Sequence, residues 1–198
     1  MNEQSPVKGQ GHDATPRGGV SHVVGDTSVP LWHRTIPDVF AETATRCGDR
    51  DAAIFLEQDI RWSWSDLAAE VDALAQGLAG LGLKKGDRIG IWSPNRAEWL
   101  LTQFATARLG LVMVNINPAY RLSELEYALN KVGCLALVSA ATFKTSDYLE
   151  MIRTLAPEIE NCAPGELKSE KLPALRSVIR MGTEKSPGMH SFDDIVAA

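Results

Sequence analysis

From Asp87 to Val138 the chain alternates short apolar runs with longer segments of helical period, and this alternation narrows the fold more than any other feature. RIGIW, LVMVN and CLALV read as strands, while NRAEWLLTQFATARL and ELEYALNKV between them read as helices. A strand, a helix and a second strand in succession pair in parallel, because the helix carries the chain back along the sheet. Such crossovers are right-handed. The pattern predicts an α/β fold built on a parallel βαβαβ sheet.

Local signals support the helices. Asn95 stands three positions before Glu98 and Ser123 three before Glu126, a spacing at which each pair satisfies two orphaned amides. Such a cap is worth about 1 kcal/mol. Leu122, ahead of the Ser123 cap, is placed to pack on Tyr127 as a hydrophobic staple, and Gly110 and Gly133 stand where the helices would stop in left-handed geometry.

Upstream, TIPDVFAETATRCGD places Ile36, Val39, Phe40 and Ala44 at helical spacing, with Thr35 or Asp38 as cap and Gly48 as stop. AAIFLEQDIRWSW reads as a β-hairpin turning at Glu57-Gln58-Asp59, with Ile60, Trp62 and Trp64 on one face. SWSDLAAEVDALAQGLAGLG then carries Leu67, Val71, Leu74, Leu78 and Leu81 on one stripe, opened by Ser63 and Asp66 as a capping pair. Its Gly77, Gly80 and Gly82 do not form a dinucleotide fingerprint, which needs G-x-G-x-x-G directly after a strand; they mark a helix end and close packing. Residues 1 to 28 are rich in Gly, Ser, Thr and Pro without an apolar period, and are expected to form a flexible arm.

Composition excludes several classes of partner. With 44% hydrophobic and 23% charged residues, the 198-residue chain has the balance of a globular domain, residues 29 to 198 forming its folded part. The net charge of -5 is dispersed, and the basic cluster of Lys84, Lys85 and Arg88 is too small to favour nucleic acid. No run approaches the ~18 apolar residues of a membrane span, and the amino terminus lacks the apolar segment of a secretory signal, so a cytoplasmic setting is expected. Cys47, Cys134 and Cys162 lack metal or redox spacing and read as reduced thiols, Cys134 as a small buried hydrophobe. The four histidines show no metal spacing either.

In an open parallel sheet the carboxyl ends of the strands share one edge, where ligands bind. Three polar segments are expected there: Ser93-Pro94-Asn95, Asn115 to Tyr120, and Ser139 to Thr142, which makes Asn95 and Asn115 sheet-edge candidates. Pro118 forces Asn117 toward an extended conformation. The competing reading is that asparagine and proline only terminate a strand. Geometry alone names no ligand.

From about Pro30 onward the chain resembles the AMP-forming acyl-CoA synthetases of the adenylate-forming superfamily, in particular bacterial fatty-acyl-CoA synthetases. RWSWSDL is similar to the family's first core motif, with Ser63, Trp64 and Asp66 where threonine, tyrosine and glutamate are commoner. GDRIGIWSPNRAEWLLTQFATARLGLVMVNINPAYRLSELEYAL resembles the second core region, with its Gly-Asp-Arg turn, strand, helix and Asn-Pro break in that order.

The resemblance implies that the complete enzyme activates a fatty acid with ATP and Mg2+ to an acyl-adenylate, releasing diphosphate, and then forms a thioester with CoA. It also implies that Asn117, Pro118, Ala119 and Tyr120 lie beside the channel that admits the pantetheine of CoA. Asn-Pro-Ala stands here where some relatives carry glycines. The family's Ser/Thr/Gly-rich phosphate loop ending in Pro-Lys is not present, and MGTEKSPGM, with Gly182, Thr183 and Lys185 in the wrong order, reads as a surface loop. No adenylation residue is assigned, and ATP, Mg2+ and CoA are not expected to bind this chain tightly by itself. Two functions stand side by side: the amino-terminal part of a ligase, catalytically incomplete and prone to self-association through exposed apolar surface, or a free-standing, non-catalytic interaction module.

Overall fold

The computed structural model describes residues 28–198. Residues 28–34 belong to a unit apart from Thr35–Ala198. The arm expected over residues 1 to 28 lies, but for Ser28, outside the described residues.

Thr35 opens α1 (Ile36–Cys47): its hydroxyl oxygen accepts from the Asp38 amide at 3.3 Å, and the Asp38 carboxylate accepts from the Thr35 amide. β1 (Asp51–Phe55) and β2 (Ile60–Ser63) form the expected antiparallel hairpin, closed by a tight turn over Leu56–Gln58 with Asp59 in left-handed geometry. Trp64 does not continue the strand. The reciprocal Ser63–Asp66 cap, with bonds of 2.9 and 3.1 Å, starts α2 (Trp64–Gly80) one residue earlier than the alternation of Ile60 and Trp62 implied.

The central sheet is built from β3 (Arg88–Trp92), β4 (Val112–Asn115) and β5 (Ala136–Ser139), joined by α3 (Ala97–Leu109) and α4 (Leu122–Val132). These are the predicted βαβαβ elements. The chain then makes a small hairpin, β6 (Thr142–Phe143) and β7 (Ser146–Asp147), and enters α5 (Tyr148–Leu155). It returns to the sheet as β8 (Ser177–Arg180) and β9 (His190–Ser191), and α6 (Phe192–Val196) follows. The five strands are parallel in the order β4-β3-β5-β8-β9. β8 is fully buried, yet SVIR is too short to stand out as a strand without its neighbours.

The inner strands are apolar because both faces are covered: Ile89, Ile91, Trp92, Leu137, Val138, Val178 and Ile179 are all buried. β4 is one edge strand of the sheet and β9 the other, and Val112 on β4 is 48% exposed. Gly77 lets α2 approach α6, since a Cβ there would stand 2.0 Å from the Ile195 carbonyl oxygen. Gly110 and Gly133 terminate α3 and α4 at φ of 69° and 62°, as expected.

Two of the expected caps are corrected. Asn95 is exposed and does not cap α3; the helix begins at Ala97, whose amide donates to Gln58 Oε1 at 2.8 Å. The cap comes from the hairpin turn, 39 positions away. Ser123 lies within the first turn of α4, and Arg121 holds the capping position, its amide donating to Glu124 Oε2 at 3.1 Å. Leu122 and Tyr127 are both exposed, and the staple positions about Arg121 belong to Tyr120 and the fully buried Leu125. The shift arises because the turn at Asn117 closes on Tyr120, leaving Arg121 as the last extended residue.

Candidate functional site

The chain passes from β3 outward to β4, then crosses back to place β5 on the other side of β3. Loops leaving β3 and β5 therefore diverge, opening a crevice at the carboxyl edge of the sheet. A cleft of about 280 Å³ lies there, lined by Pro94, Arg96, Ala140, Ala141 and Thr142 and closed by the loop after β8 from Met181 to Glu184. A second cleft of about 560 Å³ shares Arg96, Gly182 and Thr183 and runs toward the hairpin and α6.

Most polar groups at this edge are already engaged. Ser93 and Ser139 are buried, and each hydroxyl donates to the next residue's carbonyl, at 2.8 and 2.9 Å. Arg96 holds Glu98 with two hydrogen bonds, of 3.1 and 2.8 Å, and Gln58 Nε2 donates a third at 3.0 Å. Burial works to raise the Glu98 carboxyl, but the Arg96 guanidinium, the backbone amide of Glu98 itself and the Gln58 amide together hold it below the ordinary glutamate value. Arg180, buried at the end of β8, donates to the Lys185 carbonyl and the Ser186 hydroxyl and pairs with Glu184. Within MGTEKSPGM, Thr183, Glu184, Lys185 and Pro187 are exposed while Met181, Gly188 and Met189 are buried, so the expected surface loop is exposed only along its middle, where Lys185 is paired with Asp194 at 2.8 Å. Among the described residues no group of three His, Cys, Asp or Glu side chains could hold a metal ion.

The predicted segment Asn117 to Tyr120 is not in this crevice. It leaves the edge strand β4 beside a groove of about 350 Å³ running along α4, lined in part by Asn115, Ile116, Tyr120 and Tyr127. Asn115, Asn117 and Ala119 are exposed, while Pro118 and Tyr120 are half-buried. The break is a hydrogen-bonded turn: Asn117 Oδ1 accepts from the Ala119 amide at 2.9 Å, and the Asn117 carbonyl from the Tyr120 amide at 3.0 Å.

Two aromatic side chains that sequence reasoning missed anchor this turn. Trp92 Nε1 donates to the Asn117 carbonyl at 3.1 Å, and the Tyr148 hydroxyl donates to the Pro118 carbonyl at 2.6 Å. Trp92 was legible only as a strand residue, and Tyr148 follows a hairpin with no apolar period, so neither advertised a partner in the turn. Burial pushes the Tyr148 phenol up to about 12, further above neutral pH than an ordinary tyrosine. Cys134, buried beneath the sheet and pushed up to about 11 by that burial, is an inert thiol as expected. All three cysteines are free.

The family described as AMP-binding enzyme matches residues 40–186. Medium-chain acyl-CoA ligase ACSF2, mitochondrial, of Mus musculus is 45% identical over 183 residues, 92% of this chain and 30% of the relative. Putative acyl-CoA synthetase YngI of Bacillus subtilis (strain 168) is 36% identical over 164 residues, 83% of this chain and 30% of the relative. Among solved structures, the anthranilate CoA ligase AuaEII in complex with anthranoyl-AMP superposes with a TM-score of 0.69 at 21% identity, covering 85% of this chain and 29% of that one. A putative long-chain-fatty-acid CoA ligase from Rhodopseudomonas palustris CGA009 gives 0.66 at 23% identity, covering 82% and 36%. At these identities the structural likeness establishes the fold. The chain spans about 30% of the length of the curated relatives it matches.

Proposed function

Since the chain belongs to the AMP-binding enzyme family, we propose that it forms the amino-terminal part of a fatty-acyl-CoA ligase. The complete enzyme joins ATP and a fatty acid into an acyl-adenylate with loss of diphosphate, and then transfers the acyl group to CoA with loss of AMP. The observation that carries this reading is the 45% identity over 92% of the chain to a protein named as an acyl-CoA ligase. Residues 29–198 supply part of its amino-terminal domain, and the Ser/Thr/Gly-rich phosphate loop is not among them.

Within that enzyme this chain supplies scaffold and approach surface. The described residues offer no assembled triphosphate site: Lys185 pairs with Asp194, the Arg180 guanidinium donates within its own loop, and no three His, Cys, Asp or Glu side chains among them group together. No adenylation step is therefore assigned to them. Asn117, Pro118, Ala119 and Tyr120 border the path of the CoA pantetheine, a reading supported by the exposure of Asn117 and Ala119 on a turn whose carbonyls are anchored from behind. Asn115, exposed at the end of β4 and lining the same groove, flanks that approach, whereas Asn95, exposed on the loop after β3, is not among the residues lining it.

Among the described residues no helix is long and apolar enough to cross a membrane. The cytoplasmic setting is part of the proposal, as is self-association of the chain through its uncovered edge. Carboxylate-dependent exchange of labelled diphosphate into ATP tests the assignment: the chain extended along its downstream reading frame is expected to catalyse it with a medium- or long-chain fatty acid, and residues 1–198 alone are not. Exchange by the 198-residue chain, or none by the extended one, overturns the reading.

A further inference from the structure

The turn after β4 has few bonds of its own. Pro118 has no amide hydrogen, Asn117 and Ala119 are exposed, and the turn's internal bonds are those that Ala119 and Tyr120 make to Asn117. A turn so placed would be free to fluctuate. What restrains it comes from behind the sheet edge, from residues 25 and 30 positions distant.

Trp92 and Tyr148 are both fully buried and stacked, with ring centroids 3.6 Å apart and planes 9° from parallel. Each ring carries one polar hydrogen, and buried rings of this kind place that hydrogen on a partner. Here the two partners are successive carbonyls of the same turn. Tyr148 is held in turn by the first residues of α5, where Asp147 Oδ1 accepts from the Glu150 amide at 2.9 Å, and by Phe143 at a centroid distance of 6.5 Å. The stack therefore has a fixed base, and the turn rests on its polar end.

We infer that Tyr148, backed by Trp92, is a positioning residue for thioester formation: its hydroxyl fixes the Pro118 carbonyl and thereby holds Asn117 and Ala119 where the pantetheine chain passes. This rests on the CoA reading of the turn proposed above. With the Trp92 bond alone, the Pro118–Ala119 peptide keeps only the bond from the Ala119 amide to the exposed Asn117 side chain, and its carbonyl loses its one anchor to the buried rings. Pro118 is half-buried, so water can replace the lost donor, and removing the hydroxyl loosens the turn without emptying the core.

The test is Tyr148→Phe, which keeps the stacked ring, made in the full-length ligase beside Ala119→Leu. Hydrogen exchange at the Ala119 and Tyr120 amides is expected to quicken about threefold to tenfold, the ratio for loss of one hydrogen bond. KM for CoA should rise severalfold while diphosphate exchange and its fatty-acid dependence stay unchanged. Unaltered amide exchange overturns the inference, as does an equal fall in both half-reactions with a lowered melting temperature, the mark of a packing role. If exchange quickens but KM for CoA does not move, Ala119→Leu decides. A slowed thioester step in Ala119→Leu then overturns the positioning role of Tyr148. An unaffected thioester step instead overturns the channel reading and leaves Tyr148 as the residue that orders the turn.

Discussion

Gln58 and Glu98, 40 positions apart in sequence, share one amide-to-carboxylate hydrogen bond of 3.0 Å, and the other end of the same amide caps the helix that carries Glu98. The β1–β2 turn is thus locked to the first turn of α3. Gln58→Ala removes both bonds, leaves the buried Ala97 amide without an acceptor and strips the Glu98 carboxylate of one donor. A loss of about 1–3 kcal/mol is expected in denaturant melts, the range for unsatisfied buried groups. A loss below the scatter of surface substitutions counts against the lock.

Glu98 also predicts an acid limb. Its folded-state pKa lies below the unfolded value of ~4.3, so its ionised form contributes stability that is complete above that value and is lost as pH falls through the folded one. Stability of the wild type relative to Glu98→Gln should therefore shrink as pH falls below ~4.3 toward the folded value. Asp66 and Glu124, each lowered by its own capping bonds, are present in both proteins and cancel in the difference. A pH-independent difference between the two variants would contradict the assignment.

Gly77→Ala places a methyl 2.0 Å from the Ile195 carbonyl oxygen, against backbone that has no rotamer to turn aside. Overpacking of this kind costs about 1–3 kcal/mol. The expected signature is a lower melting temperature with faster amide exchange concentrated in α6, Phe192–Val196. Gly80→Ala, on the same helix with open space around it, is the control and should be neutral or mildly stabilising.

Ala119→Leu adds bulk at an exposed position, so stability should hold to within about 0.5 kcal/mol. In the full-length ligase the adenylation half-reaction should survive and thioester formation should weaken, chiefly through KM for CoA. Equal loss in both half-reactions would return the Asn-Pro break to the role of a strand stop.

Among the described residues β4 has no partner strand on its outer side, and Val112 on it and Tyr127 beside it are 48% and 66% exposed. An uncovered apolar edge invites pairing. The 198-residue chain should sediment as a concentration-dependent mixture, and Val112→Lys should shift it toward monomer. A monodisperse wild-type monomer across the same concentrations would favour the free-standing module.

Local sequence determined the elements whose causes lie within a few residues: the alternation of RIGIW, LVMVN and CLALV with helical segments, the Ser63–Asp66 cap, and the left-handed stops at Gly110 and Gly133. It also marked the break at Asn117-Pro118, because proline restricts its neighbour and asparagine bonds its own turn. Tertiary structure decided whatever depends on groups far apart along the chain. Asn95 satisfies the capping pattern, yet Gln58 arrives from the hairpin and takes the Ala97 amide. β8 and β9 extend the sheet because β5 offers a buried edge, although their own runs are too short to announce strands. The anchor of the Asn-Pro turn is likewise invisible in LVMVNINPAYR, since it consists of two rings from other elements whose buried polar hydrogens find acceptors only once the sheet has formed.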